Sequence, residues 1–134
     1  MKILLDTQAL ILAGTSALPE ASKKMFLDSE NEIFFSIVSL WEMAIKKSLG
    51  KLDFKMNFTD YQDLLIQEGL HRLLLEPEHL EILSELEWHH KDPFDRTLIA
   101  QSVFEQMAIM TGDDSFKKYG CHCIWNSIRY SPGK

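Results

Sequence analysis

Four acidic residues stand where the predicted strands end or the predicted helices begin: Asp6, Glu42, Asp95 and Asp113. In an α/β sheet the carboxyl ends of parallel strands line one edge, which is where ligands bind. Four carboxylates gathered there would repel one another and resist desolvation unless a cation joined them. Oxygen ligands of this kind suit a hard divalent metal ion. The pattern therefore predicts a metal site that supports phosphoryl chemistry.

Each of these acids also has a purely structural explanation. Glu42 follows Ser39 by three residues, the spacing of a capping box at the start of a helix. Asp95 would be a favourable charge in the first turn of a helix, and Asp113 would open a turn. Asp6 is harder to explain in this way, because a carboxylate directly after a buried strand is costly without a partner. The joint pattern of all four residues is what favours a site.

The elements that must position these residues alternate along the chain. Apolar and β-branched runs predict strands at residues 3–5, 33–38, 72–75, 107–111 and 121–125. Helical periodicity predicts helices at residues 7–13, 19–27, 40–48, 59–67, 77–86 and 93–106. We expect Ser39 to cap the third helix and Asp92 to cap the last one. This alternation predicts an α/β/α sandwich with a short, mostly parallel sheet.

Length and composition fit one domain of ordinary character. The chain has 134 residues, of which 46% are hydrophobic and 25% charged, with a formal net charge of -6. We expect one domain at residues 1–130 and a loose tail at residues 131–134. The acidic balance argues against a passive nucleic-acid-binding module, but less against a metal nuclease whose acids are offset by the metal. The sequence has no apolar run of the ~20 residues that span a membrane and no signal peptide, so we expect a cytoplasmic protein.

Two cysteines, Cys121 and Cys123, flank His122. A metal site built on this triplet is one interpretation, but no partner ligands follow at the usual zinc spacings. We favour reduced thiols on a short buried strand.

Four ordered blocks of the sequence resemble the PIN-domain family, and within it the VapC-like branch of bacterial toxin ribonucleases. The blocks are LLDTQAL at residues 4–10, SLWE at residues 39–42, DPFDRTLIAQ at residues 92–101 and MTGD at residues 110–113. Tyr119 and Trp125 also fit that branch, so the resemblance covers residues 1–125. One departure is Gln8, which stands where this branch often has histidine.

The resemblance implies a Mg²⁺- or Mn²⁺-dependent endoribonuclease that hydrolyses RNA phosphodiester bonds. By position, the four acids match the acidic quartet of the family, with Thr7, Thr111 and Asp92 in supporting roles. Our hypothesis makes Asp6 and Asp113 direct metal ligands. Glu42 and Asp95 would then bind a second ion or orient the attacking water.

Basic and aromatic residues near these blocks are candidates for contacts with RNA. Arg96, Lys46, Lys47 and Lys117, together with Lys51 and Lys118, would guide the backbone of the substrate. The alternative is solvated charge at helix ends. For His89 and His90 we favour an exposed loop over a phosphate contact or a role behind a metal ligand. For Trp41 and Trp88 we favour packing in the core or at the rim over base stacking.

Toxins of this resemblance usually pair with a small antitoxin whose C-terminal segment fills a groove beside the acidic site, and they commonly form homodimers. Apolar surface on the predicted helices at residues 19–27 and 59–67 would suit such contacts. Two rivals come from other classes of protein. A PIN-like module that has lost catalysis would only bind its partner. A receiver-like signalling domain would need adjacent early acids and a later lysine, which the sequence lacks.

Overall fold

A twisted sheet at the centre of the molecule carries the elements that position the acidic residues. The computed structural model describes residues 1–129, so the predicted tail at residues 131–134 lies outside the described part. The strands of that part are β1 (Lys2–Leu5), β2 (Glu32–Ser36), β3 (His71–Leu73), β4 (Ala108–Met110), β5 (Cys123–Ile124) and β6 (Ile128–Arg129). They form one sheet in the order β3-β2-β1-β4-β5-β6. β1 to β5 run parallel and β6 runs antiparallel to β5.

Helices cover both faces of this sheet. They are α1 (Thr7–Leu12), α2 (Glu20–Leu27), α3 (Ile37–Ser48), α4 (Phe58–Gln67), α5 (Pro77–Glu85) and α6 (Pro93–Glu105), with a 3₁₀ helix at Asp114–Tyr119. Successive side chains of β1 point to opposite faces. Ile3 and Leu5 accordingly join one buried cluster with Leu10 of α1, and Leu4 joins the other cluster with Leu98 of α6. The predicted three-layer α/β architecture with a mostly parallel sheet is confirmed.

The boundary between β2 and α3 lies earlier than predicted. The strand ends at Ser36, and the hydroxyl of Ser36 accepts a hydrogen bond from the Val38 backbone N–H at 3.0 Å, which makes Ser36 the N-cap. Ser39, the predicted N-cap, lies buried inside the helix. The capping-box explanation of Glu42 is therefore wrong. The β-branched residues Ile37 and Val38 favoured a strand locally, but a capping serine and burial of Val38 against the sheet outweigh that preference.

The end of the described chain also differs from the prediction. The predicted strand at residues 121–125 is reduced to Cys123–Ile124, and β6 was not predicted. Cys121 and Cys123 are buried and form no disulfide, as expected, although Cys121 precedes the strand. Within the described residues, no helix is long and apolar enough to cross a membrane.

An apolar groove lies on the side of the sheet covered by α1, α2 and α4. Its volume is about 700 Å³. The predicted inward face of α4 is less buried than expected, since no residue of that helix is fully buried. Leu64, for example, is 40% exposed and borders the groove. We call this feature the apolar groove; its principal lining side chains are those of Leu10, Phe26, Leu27, Phe54, Tyr61, Leu64 and Leu65.

Candidate metal centre

Three aspartates are fixed in place because each one caps a helix. Asp6 directly follows β1, and its Oδ1 accepts from the Ala9 backbone N–H at 2.8 Å. Asp92 caps α6 by accepting from the Asp95 backbone N–H at 2.9 Å, as predicted. Asp113 follows β4 and caps the 3₁₀ helix through the Ser115 backbone N–H at 2.9 Å. Because β1 and β4 are neighbouring parallel strands, Asp6 and Asp113 are brought to the same edge of the sheet.

All four predicted acids meet at a cavity of about 310 Å³ at this edge. We call this feature the acidic cavity. Its lining residues are Asp6, Thr7, Gln8, Ile11, Glu42, Lys46, Asp92, Asp95 and Asp113. The supporting residues Thr7 and Asp92 are thus present as well. Gln8, which departs from the pattern of the branch, also faces this space. The structure brings the quartet together, while its metal-binding role stays a prediction.

The acidic cavity disfavours negative charge on two of its carboxyl groups. Burial raises the pKa of Asp6 from 3.8 to about 6, although hydrogen bonds from Thr111 and Ala9 act in the opposite direction. Burial and the charge of Asp92 raise the pKa of Asp95 to about 7. Burial also acts on Asp113, but hydrogen bonds from Ser115 and His90 hold the pKa of Asp113 below its ordinary value. Ionised Asp6 and Asp95 would therefore gain from a nearby cation.

The charge of Glu42 is paired within the chain. Its Oε1 accepts from the Thr7 hydroxyl at 2.6 Å, and its Oε2 lies 2.8 Å from Nζ of Lys46. Glu42 itself is buried, whereas the side chain of Lys46 is 48% exposed. The hydrogen bond to Glu42 raises the pKa of Lys46. The Thr7 hydroxyl also lies 3.0 Å from the Ser39 hydroxyl, which explains why Ser39 is buried at this point of α3.

His90 enters the site, although the sequence favoured an exposed loop for it. Its Nε2 lies 2.8 Å from Oδ2 of Asp113 and 3.1 Å from Oδ2 of Asp95. These three residues offer ligand-type atoms that all lie within 4.8 Å of one another. The position of His90 in the sequence could have indicated this placement. His90 precedes the N-cap Asp92 by two residues and so lies near the first turn of α6, which also contains Asp95.

Arg96 does not line the acidic cavity, so its position gives no support to the predicted contact with RNA. It is 4% exposed, and its guanidinium donates to the carbonyl oxygens of Leu86 and Glu87 at 3.3 and 2.8 Å. The ring of Trp88 lies 3.7 Å from the guanidinium carbon and covers it. A buried guanidinium needs such acceptors, which explains its inward position.

The lysine candidates separate into two groups. Lys47 lies over the rings of Phe54 and Phe58, at 5.7 and 5.9 Å from their centroids, and does not line the acidic cavity. Lys46 lines that cavity, and Lys117 lines a smaller one of about 180 Å³ that shares Asp113 with it. Contact of Lys46 and Lys117 with RNA stays a prediction.

Trp41 and Trp88 lie at the rim, in agreement with the favoured interpretation. Trp41 is 57% exposed and packs edge-on against Phe94. Trp88 is 75% exposed and rests on Arg96.

The donor set fits a hard divalent cation. Several carboxylate oxygens converge on one small cavity, and burial penalises the charge of two of them, a cost that a bound cation would offset. Asp6, Glu42, Asp95 and Asp113 are the residues that would hold it.

Solved structures of known proteins share this fold. A chain of VapBC2 from Rickettsia felis, bound to a DNA fragment from its promoter, aligns with a TM-score of 0.68 and 16% identity, covering 92% of this chain and 99% of that one. A chain of DNA-bound VapBC from Salmonella typhimurium gives a TM-score of 0.62 and 15% identity over 92% and 96%. A chain of a toxin-antitoxin complex from Klebsiella pneumoniae aligns with a TM-score of 0.52 and 16% identity, covering 83% of this chain and 86% of that one.

Comparison of the sequence with known proteins and with protein-family models identifies the family. Among curated proteins no significant match was found. The family model of the PIN domain matches residues 3–120, which include all four acids of the cavity. The chain therefore belongs to the PIN-domain family.

Proposed function

We propose that this protein is a Mg²⁺- or Mn²⁺-dependent endoribonuclease of the VapC-like branch and the toxin of a toxin-antitoxin pair. The observation that carries the proposal is the acidic cavity, where four carboxylates meet and burial raises the pKa of two of them. Membership of the PIN-domain family supports a nuclease. It also removes the support for a receiver-like signalling domain.

The chain's own groups would prepare the site for hydrolysis. The Ala9 backbone N–H fixes the carboxylate of Asp6, and the Thr7 hydroxyl fixes that of Glu42. When bound, the divalent ion supplies positive charge that lowers the pKa of water and offsets the charge of the phosphate. Lys46 lies beside Glu42 at the edge of the cavity, where its ammonium group would attract the RNA backbone.

The similar structures support an antitoxin as partner, since they include VapBC assemblies and a toxin-antitoxin complex. We propose that the apolar groove between α1, α2 and α4 takes an apolar segment of such a partner. A homodimer and a cytoplasmic location complete the proposal.

Incubation of the purified, partner-free protein with total RNA tests the proposal. We expect fragments in the presence of Mn²⁺ or Mg²⁺ and none with EDTA. Asp6→Asn should reduce cleavage by at least about 100-fold, because a metal ligand is lost. Asp63→Asn, the same change on the exposed surface of α4, should cleave like the wild type and serves as the matched control.

Two outcomes would contradict the proposal that the protein is a nuclease acting at the acidic cavity. Cleavage by folded Asp6→Asn at the rate of the wild type would show that the quartet is not the site. Metal binding without any cleavage would instead indicate a PIN-like module that only binds its partner.

A further inference from the structure

His90 belongs to a loop that is held from two sides. Between α5 and α6, the Tyr119 hydroxyl accepts from the His90 backbone N–H at 2.9 Å and donates to the Glu87 carbonyl at 2.8 Å. Arg96 donates to the Glu87 carbonyl at 2.8 Å and also lies 3.3 Å from the Tyr119 hydroxyl. A loop of this kind normally runs free over the surface. Here contacts of the loop backbone hold His90 in place, independently of the contacts that its side chain makes.

The contacts of the His90 ring define which nitrogen carries the proton. Nδ1 accepts from the Asp92 backbone N–H at 3.1 Å, so its lone pair is used there. The proton of the neutral ring is therefore on Nε2, the atom that lies 2.8 Å from Asp113 and 3.1 Å from Asp95. His90 thus donates a hydrogen bond from Nε2 to Asp113, with Asp95 at ion-pair distance from the same atom, and does not present a lone pair to a metal ion.

His90 supports the two carboxylates from outside the acidic cavity. Asp95 and Asp113 line the cavity, whereas His90 does not. The His90 ring packs edge-on against the fully buried Phe116, with centroids 5.9 Å apart. The space of the acidic cavity is therefore left to a cation, while the N–H of His90 holds the carboxylate of Asp113.

Of these two carboxylates, Asp113 is the more exposed and is held mainly by hydrogen bonds. Its side chain is 41% exposed, against 23% for Asp95. The backbone N–H and the hydroxyl of Ser115 hold its Oδ1 at 2.9 and 2.7 Å. His90 is the partner of Oδ2, at 2.8 Å. Together these donors fix the plane of the carboxylate relative to Asp95.

We propose that His90 is a positioning residue of the metal centre, which donates from Nε2 to Asp113, stands beside Asp95 and holds the two carboxylates ready for a divalent cation. The inference rests on the metal site of the proposed function but not on its RNA substrate. Partners that orient metal ligands typically contribute about 10- to 100-fold to metal affinity, and we expect an effect of that size.

Direct titration of the full chain with Mn²⁺ tests this role without an RNA substrate. Calorimetry and the electron paramagnetic resonance of free Mn²⁺ would both measure the dissociation constant. We expect His90→Ala to raise it by about 10- to 100-fold. His90→Gln should stay within about threefold of the wild type, because its amide N–H is able to reach the position of Nε2. His89→Ala, the same deletion one residue away, should bind like the wild type.

Three results would overturn the proposal. Unchanged affinity in His90→Ala would show that the carboxylates need no support. Equal losses in His90→Ala and His90→Gln, with both variants folded by circular dichroism, would assign the effect to ring packing on Phe116 instead. A wild type whose Mn²⁺ affinity depends on His90 but which leaves RNA intact would contradict only the ribonuclease. A wild type that binds no Mn²⁺ would overturn both.

Discussion

The acidic cavity and the apolar groove carry opposite kinds of unfavourable surface. In the cavity, carboxylates are removed from water and lie near one another, which raises the pKa of Asp6 and Asp95. In the groove, large side chains such as Leu27 and Leu64 remain 71% and 40% exposed to water. A cation would relieve the first region and an apolar partner the second. The kind of unfavourable surface in each region thus indicates the chemistry of the occupant that would cover it.

The unfavourable free energies of the acidic cavity and of the apolar groove also differ in how they respond to pH and to divalent ions. The cost of the cavity depends on pH and on divalent ions, because it arises from ionised carboxylates. The cost of the groove depends on neither, because it arises from apolar area in contact with water. Measurements of stability are therefore able to separate the two regions in the isolated chain.

Neutralising Asp6 should produce the largest change in stability. A pKa raised from 3.8 to about 6 corresponds to roughly 3 kcal/mol lost when the folded protein ionises this group. We expect Asp6→Asn to increase the free energy of unfolding by up to about that amount at pH 7 in EDTA. Asparagine is as good an N-cap as aspartate, so α1 should keep its cap. Urea denaturation measures the difference.

The pH dependence of that difference has a defined sign. Below pH 3.8 the carboxyl group is protonated in both states, and wild type and variant should differ little. As the pH rises from 3.8 to about 6, the unfolded chain ionises first, so the wild type loses stability relative to the variant. For Asp95 the corresponding window extends to about pH 7. A difference that is constant from pH 4 to 8, or that favours the wild type, would contradict a carboxylate penalised by burial.

Adding Mn²⁺ should produce the next largest effect. At a free concentration 100 times the dissociation constant, a ligand that binds only the folded state adds about 2.7 kcal/mol to the free energy of unfolding. We expect a gain of this order for the wild type and a much smaller gain for Asp6→Asn in the same denaturation experiment. An equal gain in both proteins would place the ion away from Asp6.

Changing the rim of the groove should have the smallest effect on the isolated chain. Leu64 is 40% exposed, so Leu64→Ser should change the free energy of unfolding by no more than about 0.5 kcal/mol. The increase in the free energy of unfolding on addition of Mn²⁺ should be the same for Leu64→Ser as for the wild type. Leu10→Ala, which removes a side chain that is 2% exposed from the same groove, should cause a clear loss and is the matched control. A loss of Mn²⁺ binding in Leu64→Ser would show that the two regions are coupled.

Local signals in the sequence were sufficient for the architecture and the quartet. The alternating apolar runs and helical periodicities required a parallel sheet, and a parallel sheet has only one edge where the carboxyl ends of its strands meet. Asp6 and Asp113 follow neighbouring strands of the observed sheet, and Asp92 caps α6 as its Asp-Pro start indicated.

Other parts of the site depended on contacts between distant segments. Local propensity favoured a strand through Val38, yet burial against the sheet and the Ser36 cap begin α3 earlier. The charge of Arg96 suggested a phosphate contact, but acceptors on the loop that follows α5 hold it inside.

The sequence by itself therefore determined the fold class and the acids that converge at the edge of the sheet, because the alternation of strands and helices and a helix cap such as Asp92 follow from local patterns. Only the tertiary structure decided the position of His90. Its direction depends on Tyr119, which lies 29 residues further along the chain. No local rule relates residues at that separation, since their contact exists only after the sheet and its helices have packed.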